Sequence, residues 1–217
     1  LPVEQPNRVR SKAFQARLAD EAPQVAVVVA FGQIFPQSLL DIPRFGCVNL
    51  HASLLPAYRG AAPIQAALAN GESETGVTTM LMERGLDSGP ILLQRRLAIW
   101  PTETAPELSA RLAELGGELM VETLERLESG TLEPRPQDHD AATFAPMLSK
   151  RDGTVDWSLS AHEIANRLRA YTPWPGLSGE LRGERVKIVS GVALGEGGAA
   201  ASVAPGEYLG LRDGRLA

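Results

Sequence analysis

Cysteine is nearly absent, and the single Cys47 rules out an intramolecular disulfide framework, which suits a reducing cytoplasm. Its place in an apolar strand marks it for core packing rather than reactivity. Long apolar runs are lacking too. None approaches the ~20 residues that a membrane span requires, and no basic-then-apolar segment of the secretory type opens the chain. Positive charge is not in excess: the formal net charge is −5, which works against nonspecific nucleic-acid affinity. Metal-ligand spacing is missing as well. His139 sits between Asp138 and Asp140 with no second His or Cys nearby, so a solvated loop is the expectation there and no metal is implied.

What is present is enough apolar material, 44% of 217 residues, to fill the core of one large or two modest domains. Residues 25–30 are a continuous, β-branched-rich run, expected as a strand buried on both faces of a parallel sheet. Before it, residues 11–21 have helical spacing at Phe14 and Leu18. The pattern recurs as strand 46–52, helix 61–69 and strand 77–82. Such alternation predicts an α/β layer with mainly parallel strands and functional loops at their carboxyl ends.

A long helix follows. Thr104-Ala105-Pro106-Glu107 is a capping box, and Leu108, Leu112, Leu115, Leu119, Leu124 and Leu127 make an apolar stripe at helical spacing. Gly116-Gly117 should weaken or bend it by about 1 kcal/mol per Gly, and Ser129-Gly130 stops it. Residues 134–149, polar and turn-prone at their start, are expected to be a linker between a domain over 1–133 and another over 150–217. In the latter, Ser160-Ala161-His162-Glu163 is a second capping box, opening a helix to Tyr171, with His162 at the surface. The glycines at 176, 179, 183, 191, 195, 197, 198, 206, 210 and 214 then predict short strands and tight turns, a small β-barrel.

Three residues carry candidate chemistry. Asn49 and His51 alternate onto one face of strand 46–52, and Asp87 sits in the glycine-flanked loop Gly85-Leu86-Asp87-Ser88-Gly89-Pro90 after the next strand. An amide, an imidazole and a carboxylate at strand ends suit acyl transfer, which needs donors to an oxyanion and a group to take a proton. Each residue also has a plainer reading. Asn49 and His51 can be a satisfied polar pair that braces the strand, and Asp87 can serve turn geometry alone.

The flanking words decide between these readings. His51-Ala52-Ser53-Leu54-Leu55-Pro56-Ala57-Tyr58-Arg59-Gly60-Ala61-Ala62-Pro63-Ile64-Gln65, then Thr75-Gly76-Val77-Thr78-Thr79-Met80 and the Asp87 loop, closely resemble the methionyl-tRNA formyltransferase family. The likeness continues through Leu148-Ser149-Lys150, Asp156-Trp157-Ser158 and Pro173-Trp174-Pro175-Gly176, nearly the whole chain.

The resemblance implies a Rossmann-like formyltransferase domain followed by an OB-like, tRNA-binding barrel. It also implies that opening strands and the end of the second domain lie outside this sequence. The implied reaction moves a formyl group from 10-formyltetrahydrofolate to the amino group of methionyl-initiator-tRNA, in the cytoplasm, by a monomer. Asn49, His51 and Asp87 would be catalytic. Ser53, Leu54, Leu55 and Pro56 would lie against the folate, with a Leu55-Pro56 cis bond possible, and Phe31 and Gly32 would suit its flat heterocycle. Arg59 is expected to brace the loop. Residues 1–149 carry net charge −6 and residues 150–217 carry +1, with Arg167, Arg169, Arg182, Arg185 and Lys187 grouped in the latter; the resemblance favours an RNA surface there. Alternatives are formylation of a sugar-nucleotide or ribonucleotide amine, hydrolysis of formylfolate, and a noncatalytic tRNA- or folate-binding module.

Overall fold

A computed structural model describes residues 3–193 and, as backbone only, 211–212 and 215–216. The turns expected at Gly195, Gly197, Gly198, Gly206, Gly210 and Gly214 lie outside the described residues. The chain divides into two compact units. The first comprises Leu1–Pro63, Glu74–Ala98 and Ser109–Met147; the second comprises Ile64–Ser73, Ile99–Leu108 and Leu148–Ala217. Segments distant in sequence fold into each unit.

The first unit is built on a four-stranded sheet in the order β1-β2-β4-β5: β1 (Ala26–Val29), β2 (Cys47–His51), β4 (Glu74–Leu81) and β5 (Ile91–Ala98). Only β1 and β2 run parallel; β4 is antiparallel to both β2 and β5. The α/β class stands, but the sheet is mixed rather than mainly parallel. Periodicity identifies strands and not their direction, and the short 82–90 connection can only return the chain antiparallel, since a parallel crossover needs a dozen or more residues. The last strand escaped notice because its alternation is carried by Gln94, Arg95 and Arg96.

Among the described residues β1 is the outer strand of this sheet, with Val27 and Val29 45% and 55% exposed. Its inward residue Val28 packs with Val9, Leu39, Leu40 and Cys47. Against that cluster lie Phe14 and Leu18 of α1 (Lys12–Asp20), the helix expected from their spacing and capped by Ser11. The short α2 (Gln37–Leu40) supplies Leu39 and Leu40.

One face of the sheet is covered by α4 (Ala105–Glu128). Val48, Leu50, Leu81 and Leu92 meet Met120, Leu124 and Leu127 there, and Thr79 hydrogen-bonds Thr123 at 2.8 Å. Gly116-Gly117 does not interrupt the helix. A Cβ on Gly116 would stand 2.7 Å from Leu50 Cδ2, so this glycine lets α4 approach the sheet. Gly117 meets nothing within 4 Å. The helix ends at Gly130, whose φ of 66° suits a glycine stop.

Residues 134–149 are not a free linker. Arg135 and Ile91 exchange backbone hydrogen bonds of 2.8 Å, Gln137 is buried, and β6 (Phe144–Ala145) pairs in parallel with β3 (Arg59–Gly60). Most of the segment is exposed, as its polarity suggested, but Gln137 and Ala145 are buried.

In the second unit, α5 (Ala161–Tyr171) opens with the expected capping box. Ser160 Oγ accepts from the Glu163 N–H at 3.2 Å, and Glu163 Oε2 accepts from the Ser160 N–H at 2.8 Å. These bonds from Ser160 hold the Glu163 carboxyl below the usual range. α3 (Pro63–Ala69) contributes the buried Ala67 and Leu68, and the Leu68 carbonyl accepts from Arg169 Nη2 at 3.5 Å. β7 (Leu177–Leu181) and β8 (Glu184–Ile188) form a hairpin through Arg182 and Gly183, both with positive φ, as a two-residue primed turn requires. Of the expected barrel, the described residues hold this hairpin and the short antiparallel pair β9 (Leu211–Arg212) and β10 (Arg215–Leu216); the rest lies outside them. Among the described residues, no helix is long and apolar enough to cross a membrane.

Two glycine substitutions should separate space from conformation. Gly117→Ala, unobstructed in a helix, should stabilise the chain by about 0.5–1 kcal/mol. Gly89→Ala, whose Cβ would fall 1.8 Å from the Leu81 carbonyl oxygen, should destabilise it by several-fold more. Thermal melts of the two variants check this. Cys47 is 1% exposed, and burial, aided by the Asp41 charge, pushes its thiol up to about 11. Iodoacetamide at pH 8 should therefore leave the native protein unlabelled and modify the urea-unfolded chain within minutes.

Candidate active site

The sheet face opposite α4 presents two rows of side chains across three strands. The register sets His51 of β2 opposite Thr78 of β4, and Thr78 opposite Gln94 of β5. The row beside it is Asn49, Met80 and Ile91. Side chains alternate faces along β2 and β4, and the register irregularity beside Thr79/Met80 brings Ile91 to the same side of β5 as Gln94, so all six share the side that α4 does not cover. Leu55, Met80 and Ile91 form a small buried apolar cluster there.

The Ser53–Pro56 loop leaves β2 and folds back over this face. Thr78 Oγ1, fully buried, donates to the Ser53 carbonyl at 2.6 Å and accepts from the Leu55 N–H at 3.1 Å. Gln94 Nε2 donates to the Leu55 carbonyl at 2.8 Å and to Thr78 Oγ1 at 3.0 Å. Ser53 Oγ donates to the Ala57 carbonyl at 2.6 Å. Leu54 packs onto Gly76, where a Cβ would stand 2.6 Å from its Cδ2, so that glycine makes room for the loop. The Leu55-Pro56 bond is cis. Ser53 and Leu55 are buried within this brace, and their own side chains are committed to it. Sequence reasoning singled out the loop but missed Thr78 and Gln94; the in-register alternation of β4 and β5 was the signal that could have found them.

His51 and Asp87 come together. The imidazole is 6% exposed, and its Nδ1 lies 3.7 Å from Asp87 Oδ2. Nε2 is 2.9 Å from the Tyr58 carbonyl oxygen, an acceptor only, so that nitrogen carries a hydrogen and donates. The Nδ1 edge is thus the one turned to the carboxylate. Asp87 Oδ2 accepts from the Gly60 N–H at 2.8 Å. Asp87 and Tyr58 both have positive φ, 49° and 59°, a left-handed conformation that a non-glycine residue adopts only when its surroundings impose it. Tyr58 is held from its other side by its N–H donating to Thr143 Oγ1 at 2.8 Å. Asn49 is half-buried, two residues before His51 on the same strand.

Arg59 braces the loop, as expected, and does so through the segment read as a linker. Its guanidinium is buried and donates through Nε and Nη2 to Gln137 Oε1, at 3.0 and 2.6 Å. Nη2 also lies 3.2 Å from His139 Nδ1, so that histidine faces the Arg59 guanidinium rather than solvent alone. Gln137 Nε2 in turn donates to the carbonyls of Asp87 and Gly89, at 2.9 and 2.7 Å.

Phe31 and Gly32 follow β1. Val29 pairs with Leu50, so the two strands release their chains at the same edge, beside His51. Phe31 is 45% exposed and meets Phe35 edge-on at 5.6 Å. A Cβ added at Gly32 would meet nothing within 4 Å.

An amide, an imidazole edge and a carboxylate along one sheet edge can donate to a developing oxyanion and accept a proton. Comparison with known proteins points to the same chemistry. A family profile described as formyl transferase matches residues 3–124, and one described as formyl transferase, C-terminal domain, matches 147–217. The chain is 49% identical over 217 residues, all of it, to a methionyl-tRNA formyltransferase of Pelobacter propionicus. It is 50% identical over 208 residues, 95% of it, to one of Koribacter versatilis. It spans 66% and 65% of those relatives' lengths. Among solved structures, a sugar N-formyltransferase from Shewanella matches with TM-score 0.71 at 22% identity, over 86% of this chain and 76% of that one. HypX of Aquifex aeolicus in complex with tetrahydrofolic acid matches with TM-score 0.69 at 21% identity, over 93% of this chain and 35% of that one. At such identities these likenesses concern the fold alone.

Thr78→Val keeps the side-chain volume but strands the Leu55 N–H, the Ser53 carbonyl and the Gln94 amide. Stability should fall by about 1–3 kcal/mol, read as a shift of the urea midpoint at unchanged slope.

Proposed function

The chain belongs to the formyl transferase family, and on that premise we propose that it transfers the formyl group of 10-formyltetrahydrofolate to the amino group of methionine on initiator tRNA. The observation that carries this reading is the His51–Asp87 pair at 3.7 Å beside Asn49, in a chain that resembles enzymes of that name along its whole length.

In this reading the methionine nitrogen attacks the formyl carbon and the carbonyl electron pair moves onto oxygen. The Asn49 amide donates to that oxyanion, and His51, whose Nε2–H is engaged by Tyr58, donates its Nδ1–H when the ring is protonated. Asp87 holds the imidazole and takes the proton of the attacking amine. Collapse of the tetrahedral intermediate breaks the bond from the formyl carbon to folate N10. That nitrogen leaves with a proton as tetrahydrofolate, and the methionine leaves formylated. Leu54 and Pro56, held by the braced Ser53 and Leu55, form one wall of the folate site, and Phe31 and Gly32 a second at the end of β1. The open space at Gly32 and the exposed ring of Phe31 support this.

The tRNA is met by the second unit. Arg182, Arg185 and Lys187 are exposed on the β7–β8 hairpin, and Trp157 and Trp174 are 40% and 51% exposed. Guanidinium and ammonium groups beside indole faces suit phosphates and unstacked bases. The protein acts as a monomer in the cytoplasm, a reading to which the single buried Cys47 lends support.

The test is transfer of labelled formyl from 10-formyltetrahydrofolate to methionyl-initiator-tRNA by the full chain, beside uncharged tRNA, a sugar amine and water. Transfer to the charged tRNA alone is expected. Loss of one oxyanion donor should lower kcat by ~100–1,000-fold in Asn49→Ala and in His51→Ala, with folding intact. Near-normal turnover by His51→Ala would overturn the assignment of that residue. Transfer to the sugar amine instead would overturn the acceptor.

A further inference from the structure

Gln137 is buried at 6% exposure, lies 50 residues from Asp87 in sequence, and bonds both sides of the candidate site. Its amide orientation follows from its neighbours. A guanidinium can only donate, so the oxygen faces Arg59; carbonyls can only accept, so the nitrogen faces Asp87 and Gly89. Among the common side chains of this length, only glutamine supplies an acceptor on one side and two donors on the other. Glutamate could accept from Arg59 but would set a carboxylate against two carbonyl oxygens.

The two carbonyls it holds flank the turn that carries the catalytic carboxylate. Asp87 has φ of 49°, so its backbone occupies the left-handed region under constraint rather than by preference. The constraint acts on it from two directions: the Gly60 N–H binds the side chain, and Gln137 binds the main-chain carbonyl. Gly89 cannot shift to compensate, since it lies directly against the Leu81 carbonyl. Arg59 anchors Gln137 from β3, whose neighbour Gly60 makes the contact with Asp87 Oδ2. Gln137 therefore joins the two chain segments that fix the position of the carboxylate relative to His51.

We propose that Gln137 is a positioning residue for Asp87: it holds the carboxylate turn in its left-handed conformation and so sets the carboxylate–imidazole geometry used in formyl transfer. This rests on the formyl-transfer reading above. It touches neither substrate nor reacting atoms.

Two variants separate this role from simple bracing. Gln137→Glu keeps the acceptor for Arg59 and loses the donors to the Asp87 turn; Gln137→Met loses both. In formyl transfer by the full chain, Gln137→Glu should lower kcat about 10–100-fold, the scale of a small misplacement of a reacting group. The KM values for 10-formyltetrahydrofolate and methionyl-tRNA should stay within about twofold, while the melting temperature should fall, since the new carboxylate faces two carbonyl oxygens. In an Asp87→Asn background, Gln137→Glu should cost nothing further, as the two act as a unit. Wild-type kcat in Gln137→Glu, or a full additional loss in the double variant, would overturn the proposal.

Nitrogen-15 spectra of the imidazoles give a readout that does not depend on turnover, and the chain has only three histidines. In Gln137→Glu the His51 ring resonances should move while those of exposed His162 stay. An unmoved His51 overturns the positioning role whatever the acceptor proves to be. Absence of transfer by the wild-type chain would instead overturn the formyl-transfer reading and leave the spectra to decide on Gln137.

Discussion

The antiparallel register of β2 against β4 is the constraint on which the site depends. His51 opposite Thr78, and Thr78 opposite Gln94, puts three polar side chains in one row on the face away from α4. A slip of one residue would turn each of them into the apolar interface with the helix and bring Leu50 and Thr79 out. Register of this kind is enforced by the opposite face. Val48, Leu50, Leu81 and Leu92 bury only in this alignment against Met120 and Leu124, and at roughly 25 cal/mol per Å² of apolar area removed from water such burial outweighs any single hydrogen bond on the polar side.

Once the register is set, the loops hang from it by satisfied polar groups. Thr78 holds Ser53 and Leu55, Gln94 holds Leu55, and Gln137 holds Asp87 and Gly89. Each is a side chain standing in for backbone pairing in segments that belong to no ladder. A loop tethered at its carbonyls and N–H groups can keep Tyr58 and Asp87 in left-handed conformations that an untethered chain would abandon. The same tethers separate the functional groups by role. Ser53 and Arg59 belong to the brace, while His51 meets Asp87 at the end of β2, with half-buried Asn49 on the same strand.

How much of this was legible in the sequence varies with the distance over which each feature acts. α1, α4 and α5 were readable because caps and stripes are local: Ser11, Ser160 and Glu163 lie within a turn of the helices they start. Asn49 and His51 were readable because alternation puts them on one face whatever the partner strand does. Within 134–149 the buried Gln137 was not readable, because composition reports polarity and not partners: it is bonded to Arg59, Asp87 and Gly89, while exposed Arg135 meets Ile91 through its backbone alone.

The sequence by itself determined the identity of the chemical groups, the helices with their caps, the presence of alternating strands and, through its long motif words, the family. Those are properties of near neighbours in the chain, set by side-chain type and by spacings of two or three to four residues. Strand direction, the partnership of His51 with Asp87 and the inclusion of 134–147 in the first unit came from the fold. These rest on contacts between residues well apart in sequence, 36 positions for His51 and Asp87 and 80 for Arg59 and His139, and such pairings follow from which surfaces can be buried together, a quantity no local pattern encodes.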